Sequence, residues 1–115
     1  MRVAYSRAAS NPGEKHPFPM GEEFALSLGY PREILDTIPH TAIEGFAGVS
    51  NVSVSATLPA GGTVFDLGCG AGLDSLIAAQ RVGAGGRVVG IDFSEAMLDR
   101  ASSSLREIGL ANVIF

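Results

Sequence analysis

The apolar positions of this 115-residue chain change rhythm near residue 60. Before it they recur in short helical patterns. Phe24, Ala25 and Leu28 fall at helical spacing and Gly29 closes that run. Pro31 suits the first position of the next helix, where its missing N–H does no harm. There Ile34, Leu35 and Ile38 share a face, and Pro39 stops or kinks the helix. A further short helix carries Ala42, Ile43 and Phe46 before the glycine-containing stretch GFAGVSN. Upstream, residues 10–21 (SNPGEKHPFPMG) hold three prolines and two glycines and read as a loop.

Beyond residue 60 the pattern alternates between strand and helix. TVFDL (63–67) follows the turn PAGG and reads as a strand. Leu73, Leu76, Ile77 and Ala79 give residues 73–82 one apolar face, so a helix is predicted there. GAGG (83–86) is a turn and RVVGI (87–91) a second strand. Ser94 is a natural N-cap, with Ala96, Met97, Leu98, Ala101 and Leu105 at helical spacing after it. Gly109 is the predicted C-cap, and NVIF (112–115) begins a third strand. Strand–helix–strand–helix–strand order implies right-handed crossovers and a parallel sheet. The fold class expected is α/β: the N-terminal part of a Rossmann-like doubly wound parallel sheet, stopping at its third strand and preceded by short helices. Two regions are expected, residues 1–58 as a helical and loop extension and 59–115 as the first half of a cofactor-binding domain. Strands apolar on both faces predict helices on both sides of the sheet. An uncovered apolar edge would invite self-association.

Composition narrows the classes. The chain is 46% hydrophobic, which argues for a packed core over disorder. A net charge of −4 gives no general attraction to nucleic acid or anionic lipid, so neither partner is expected. No apolar run approaches the roughly 20 residues of a membrane span. The first residues carry no continuous apolar stretch of signal type. One cysteine excludes an internal disulfide and suits a reducing, cytoplasmic setting.

The chemistry concentrates where the first strand meets the first long helix. Gly68, Gly70 and Gly72 alternate there, able to adopt positive φ and to let a ligand approach the backbone beside a helix N-terminus. Asp92 follows the second strand about 20 residues later, the offset at which a carboxylate grips ribose hydroxyls in nucleotide-binding sheets. A dinucleotide loop starting at Gly68 fails because position 73 is Leu, and one starting at Gly70 meets Ser75 in place of its last glycine. A nucleoside-triphosphate loop would need a G-K-[ST] run that is absent. The observed D-x-G-x-G-x-G, from Asp66 to Gly72, has the spacing found in S-adenosylmethionine enzymes.

VFDLGCGAG resembles motif I of class I S-adenosylmethionine-dependent methyltransferases, and VVGIDFSEAMLDRA resembles the motif that follows it. Together they cover roughly residues 63–102. The resemblance implies S-adenosylmethionine as cofactor and a small-molecule methyl acceptor as partner. It also implies that Asp66, Gly68, Cys69, Gly70 and Gly72 frame the methionine moiety, that Asp92 binds the ribose, and that Phe93 and Met97 flank the adenine. A narrower resemblance runs through GYPREILDTIPHTAIEGFAGVSN and VGAGGRVVGID, which are similar to the arsenite methyltransferase family. Gly45, Ser50 and Val52 depart from that family's usual Ser, Gly and Pro. Arsenite is the leading acceptor on this resemblance, with a quinone or other small metabolite as the alternative. An NAD-binding oxidoreductase module and an inactive fragment are the remaining readings.

Other polar residues have plainer roles. Cys69 sits where a helix N-terminus could lower a thiol pKa, yet a small residue is all the loop requires there. His16 and His40 stand beside prolines as solvated loop residues. Asp74 lies in the first helical turn, where a carboxylate complements the macrodipole; contact with the cofactor's amino group is its second reading. Helical spacing alone assigns Met97 to the core as readily as to a cofactor wall. Tyr5 and the N-terminal segment are expected to fold over the site. No metal site and no catalytic base stand out, as positioning can supply much of the catalysis of methyl transfer.

Overall fold

The computed structural model describes residues 20–48 and 50–115, together with Ser10. The expectations for His16, for Tyr5 and for most of the 10–21 loop lie outside these residues. From residue 20 on, the described residues open with four short helices: α1 (Glu22–Ser27), α2 (Arg32–Leu35), α3 (His40–Glu44) and α4 (Val52–Ser55). They are followed by β1 (Thr63–Leu67), α5 (Leu73–Val82), β2 (Arg87–Ile91), α6 (Glu95–Ile108) and β3 (Val113–Ile114).

The second half follows the pattern of its residues closely. Gly72, in the left-handed region at φ 95°, precedes α5, and Gly83 ends it. The Ser94 hydroxyl accepts from the Met97 N–H at 3.2 Å and starts α6. Gly109 closes α6 at φ 75°, where a side chain would be strained. In the first half, α2 is shorter than its apolar pattern. Pro31 stands one position before the helix as its N-cap, and Pro39 is the N-cap of α3 instead of an interruption in α2. Phe46 lies beyond the end of α3. Helix α4 is absent from the sequence expectation.

The sheet is parallel, in the order β1-β2-β3. Thr63 to Leu67 pair in register with Arg87 to Ile91, and Val88 and Val89 with Val113 and Ile114. Two crossovers in the same direction put α5 and α6 on one face. Val88 and Val113 are buried on that face, whereas Phe65, Leu67, Ile91 and Ile114 on the other are 50–76% exposed. The expected covering of both faces is therefore not realised among the described residues: each strand alternates, because only one layer of helices is present to bury it.

One hydrophobic cluster joins the two halves, with Tyr30, Leu35, Ile43 and Phe46 packed with Leu73, Leu76, Ile77 and Val88. Helix α3 lies on α6 and α4 on α5. This packing brings the N-terminal segment to the loop that follows β1.

Candidate cofactor site

The site is built at the C-terminal ends of β1 and β2, where an open parallel sheet receives ligands. The Gly68 and Cys69 N–H groups both donate to the Ile91 carbonyl, at 2.7 and 2.9 Å. The Gly70 N–H donates to Asp92 Oδ2 at 2.8 Å, and Asp92 Oδ1 accepts from the Ser94 N–H at 2.9 Å. Residues 68–72 are thus tied to the end of β2, and the plane of the Asp92 carboxylate is set by two backbone donors. Every glycine of the loop has positive φ: 75° at Gly68, 56° at Gly70 and 95° at Gly72.

The loop glycines serve different ends. A Cβ placed on Gly68 would meet nothing within 4 Å, so this position leaves open space beside the loop. A Cβ on Gly72 would come within 2.9 Å of the Phe115 ring and 3.2 Å of the Ala101 methyl. Gly72 therefore makes room for packing by the protein itself, as does Gly90, against which the same ring rests.

A cavity of about 60 Å³ lies beside the loop, lined by Phe46, Gly48, Asp66, Gly68, Cys69 and Asp74 among others. It joins the GFAG stretch of the N-terminal segment to the motif at the end of β1. Asp66 accepts from the buried Ser75 hydroxyl at 2.6 Å. Burial pushes the Asp66 carboxyl pKa up, the Ser75 hydrogen bond pulls it down, and the Asp74 and Asp92 charges raise it further. Asp74 accepts hydrogen bonds from the hydroxyls of Tyr30 and Ser53.

Asp66, Gly68, Cys69, Gly70 and Asp92 are brought together here. Phe93 follows Asp92 and is 49% exposed. Met97, expected beside the adenine, is fully buried and packed with Ala71 and Ala96. Its helical position turns it beneath the loop, where it supports Ala71. The roles of Phe46, Tyr30 and Ser53 beside the loop were not legible in the sequence. Their signal is the aromatic and hydroxyl content of a segment whose contacts with the loop and α5 are long-range. Among the described residues no group of three or more His, Cys, Asp or Glu could hold a metal ion, and no helix is long and apolar enough to cross a membrane.

Comparison with known proteins agrees with this architecture. A family described as "Methyltransferase domain" matches residues 58–115. The arsenite methyltransferase of Halobacterium salinarum is 36% identical over 88 residues, covering 76% of this chain and 22% of that protein. That alignment is longer than the family match and so reaches into the N-terminal segment. The nocamycin O-methyltransferase of Saccharothrix syringae is 39% identical over 74 residues, 64% of this chain and 26% of that enzyme. Among solved structures, the arsenic(III) S-adenosylmethionine methyltransferase of Chlamydomonas reinhardtii superposes with a TM-score of 0.50 at 32% identity, over 81% of this chain and 30% of that one. The chain thus spans about a quarter of the length of these curated relatives. With the glycine loop, its partner acid and the parallel βαβαβ order in place, the chain belongs to the methyltransferase domain family.

Proposed function

We propose that this chain carries the S-adenosylmethionine site of a methyltransferase acting on a small-molecule acceptor, with arsenite as the leading acceptor. The observation that carries this reading is the loop 68–72 fastened to Asp92 through the Gly70 N–H at 2.8 Å, with open space left beside Gly68. The residues present fit the cofactor. Asp92 stands where ribose hydroxyls would be accepted, and its negative charge disfavours a 2′-phosphate there. The exposed Phe93 ring is suited to one face of adenine. The acid-lined cavity at Asp66 and Asp74 suits the cationic methionine end. Gly70 and Cys69 shape the loop, and Gly72 and Met97 hold it from behind.

When bound, S-adenosylmethionine supplies a methyl group whose bond to sulfur breaks, the electron pair staying on sulfur, as the acceptor's nucleophile attacks. The residues of this chain bind and orient, and none of them is assigned a proton-transfer role. Arsenite as acceptor is supported by the identity with the Halobacterium and Chlamydomonas enzymes. Methylation of an oxygen on another small metabolite is the second reading, supported by the likeness to the nocamycin enzyme. The division at residue 58, a cytoplasmic setting and self-association through the exposed edge of β1 belong to the same proposal.

Calorimetric titration with S-adenosylhomocysteine, using NADH as control, tests the site. Saturable binding of the first ligand alone is expected. Asp92→Ala should weaken it by about tenfold or more, as charge-assisted hydrogen bonds are lost. Unchanged affinity in that variant, or preference for NADH, sinks the assignment. Offering arsenite and an enolic acceptor side by side with methyl-labelled cofactor decides the acceptor by which product carries label.

A further inference from the structure

Two hydroxyls from the N-terminal segment converge on one oxygen of Asp74. Tyr30, between α1 and α2, and Ser53, within α4, both donate to Asp74 Oδ1, 44 and 21 residues away in sequence. The Tyr30 hydroxyl also faces the Ser50 carbonyl at 3.2 Å. Both donors are buried, at 2% and 4% exposure. Burial first, and then the adjoining Asp74 carboxylate, push the Tyr30 phenol well above its ordinary pKa, so it stays a proton donor.

This arrangement leaves Asp74 Oδ2 without a hydrogen bond among the described residues. Asp66, on the same cavity, also uses one oxygen only, toward Ser75. Neither carboxylate has an ion-pair partner among the described residues. The Asp74 charge pushes the Asp66 carboxyl pKa up. Two half-buried carboxylates around a small cavity are costly unless a cation joins them. An acid serving only the helix dipole needs no buried hydroxyls brought from two distant points of the chain to fix its rotamer.

We propose that Tyr30 and Ser53 are positioning residues for the methionine end of the cofactor. They occupy one oxygen of Asp74 and hold the carboxylate so that its other oxygen receives the ligand's α-ammonium group. This rests on the cofactor reading above and deepens it. The N-terminal segment becomes part of the binding site and gives it selectivity for an ammonium-bearing tail.

The test compares S-adenosylhomocysteine with its deaminated analogue, which keeps the adenosine, the sulfur and the tail carboxylate. The readout is the ratio of the two affinities. In the parent chain S-adenosylhomocysteine should bind about tenfold tighter, the worth of one charge-assisted contact. That preference should vanish in Asp74→Asn and shrink several-fold in Tyr30→Phe and Ser53→Ala, while Ser53→Thr, which keeps the hydroxyl, retains it. Tyr30→Phe keeps the ring and its edge contact with Phe46, at 5.1 Å between centroids, so packing is preserved. A purely structural role would lower both affinities alike and leave the ratio unchanged, which overturns the inference. A parent chain with no preference overturns it without any variant. Asp92→Ala separates the two claims, since it should weaken both ligands equally. If it does so while the ratio stays near one, the inference alone fails; if it affects neither ligand, the cofactor reading fails too.

Discussion

Cys69 shows how a residue's surroundings reverse what its sequence position suggests. A thiol beside a helix N-terminus is a candidate for a lowered pKa. In the folded chain it is 8% exposed and its pKa is pushed up to about 12 from 9.0, chiefly by burial and then by Asp66 and Asp92. Loss of solvation and two nearby carboxylates outweigh the helix end. Below both pKa values the thiolate fraction scales with this shift, so iodoacetamide should modify native Cys69 about a thousandfold more slowly than an ordinary thiol. Mass spectrometry of native against urea-unfolded protein checks it, and equal rates would contradict the burial. The loop glycines make the same point. All three were legible as special, yet only their surroundings separate Gly68, open toward a ligand, from Gly72, closed by Phe115.

At the scale of elements, legibility follows how local the determinants are. Helices α5 and α6 carry their stops and caps within their own sequence, and both appear where the residues place them. Helix α4 does not. Its VSVS sequence alternates like a strand, and its β-branched valines favour one. What holds it is Arg81 of α5, whose guanidinium donates to the carbonyls of Ser53 at 2.7 Å and Ala56 at 2.6 Å. These are carbonyls that a four-residue helix leaves unpaired. Arg100 of α6 does the same for α3 through the Thr41 carbonyl at 2.8 Å. Arg81→Met, which keeps the apolar stem, should cost about 1 kcal/mol in urea unfolding. It should also remove amide-exchange protection from residues 52–56 before any other element. Loss spread evenly over the chain would show that α4 does not depend on this contact.

At the scale of the sheet, the consequence of a single helical layer among the described residues is an exposed apolar face. Leu67 is 76% exposed, Phe65 66% and Ile114 59%. Contiguous apolar surface of this kind, on a sheet with an unpaired edge, drives association. The 115-residue chain is expected to self-associate with rising concentration, as sedimentation velocity would show. The double variant Leu67→Lys with Ile114→Lys should shift it toward monomer while leaving the helix-covered face intact. If the variant sediments like the parent, that face is not the one that associates.

The alternation of TVFDL, RVVGI and the capped helices between them settled the βαβαβ order, because those determinants lie within a few residues of one another. The glycine spacing and the offset to Asp92 marked the site for the same reason. Tertiary structure decided the rest. It chose which face of the sheet is covered, turned Met97 inward, made a helix of VSVS and carried the Tyr30 and Ser53 hydroxyls to Asp74. Such features depend on groups distant in sequence meeting in space, 21 and 44 residues apart for the two Asp74 contacts, and local pattern holds no record of such meetings.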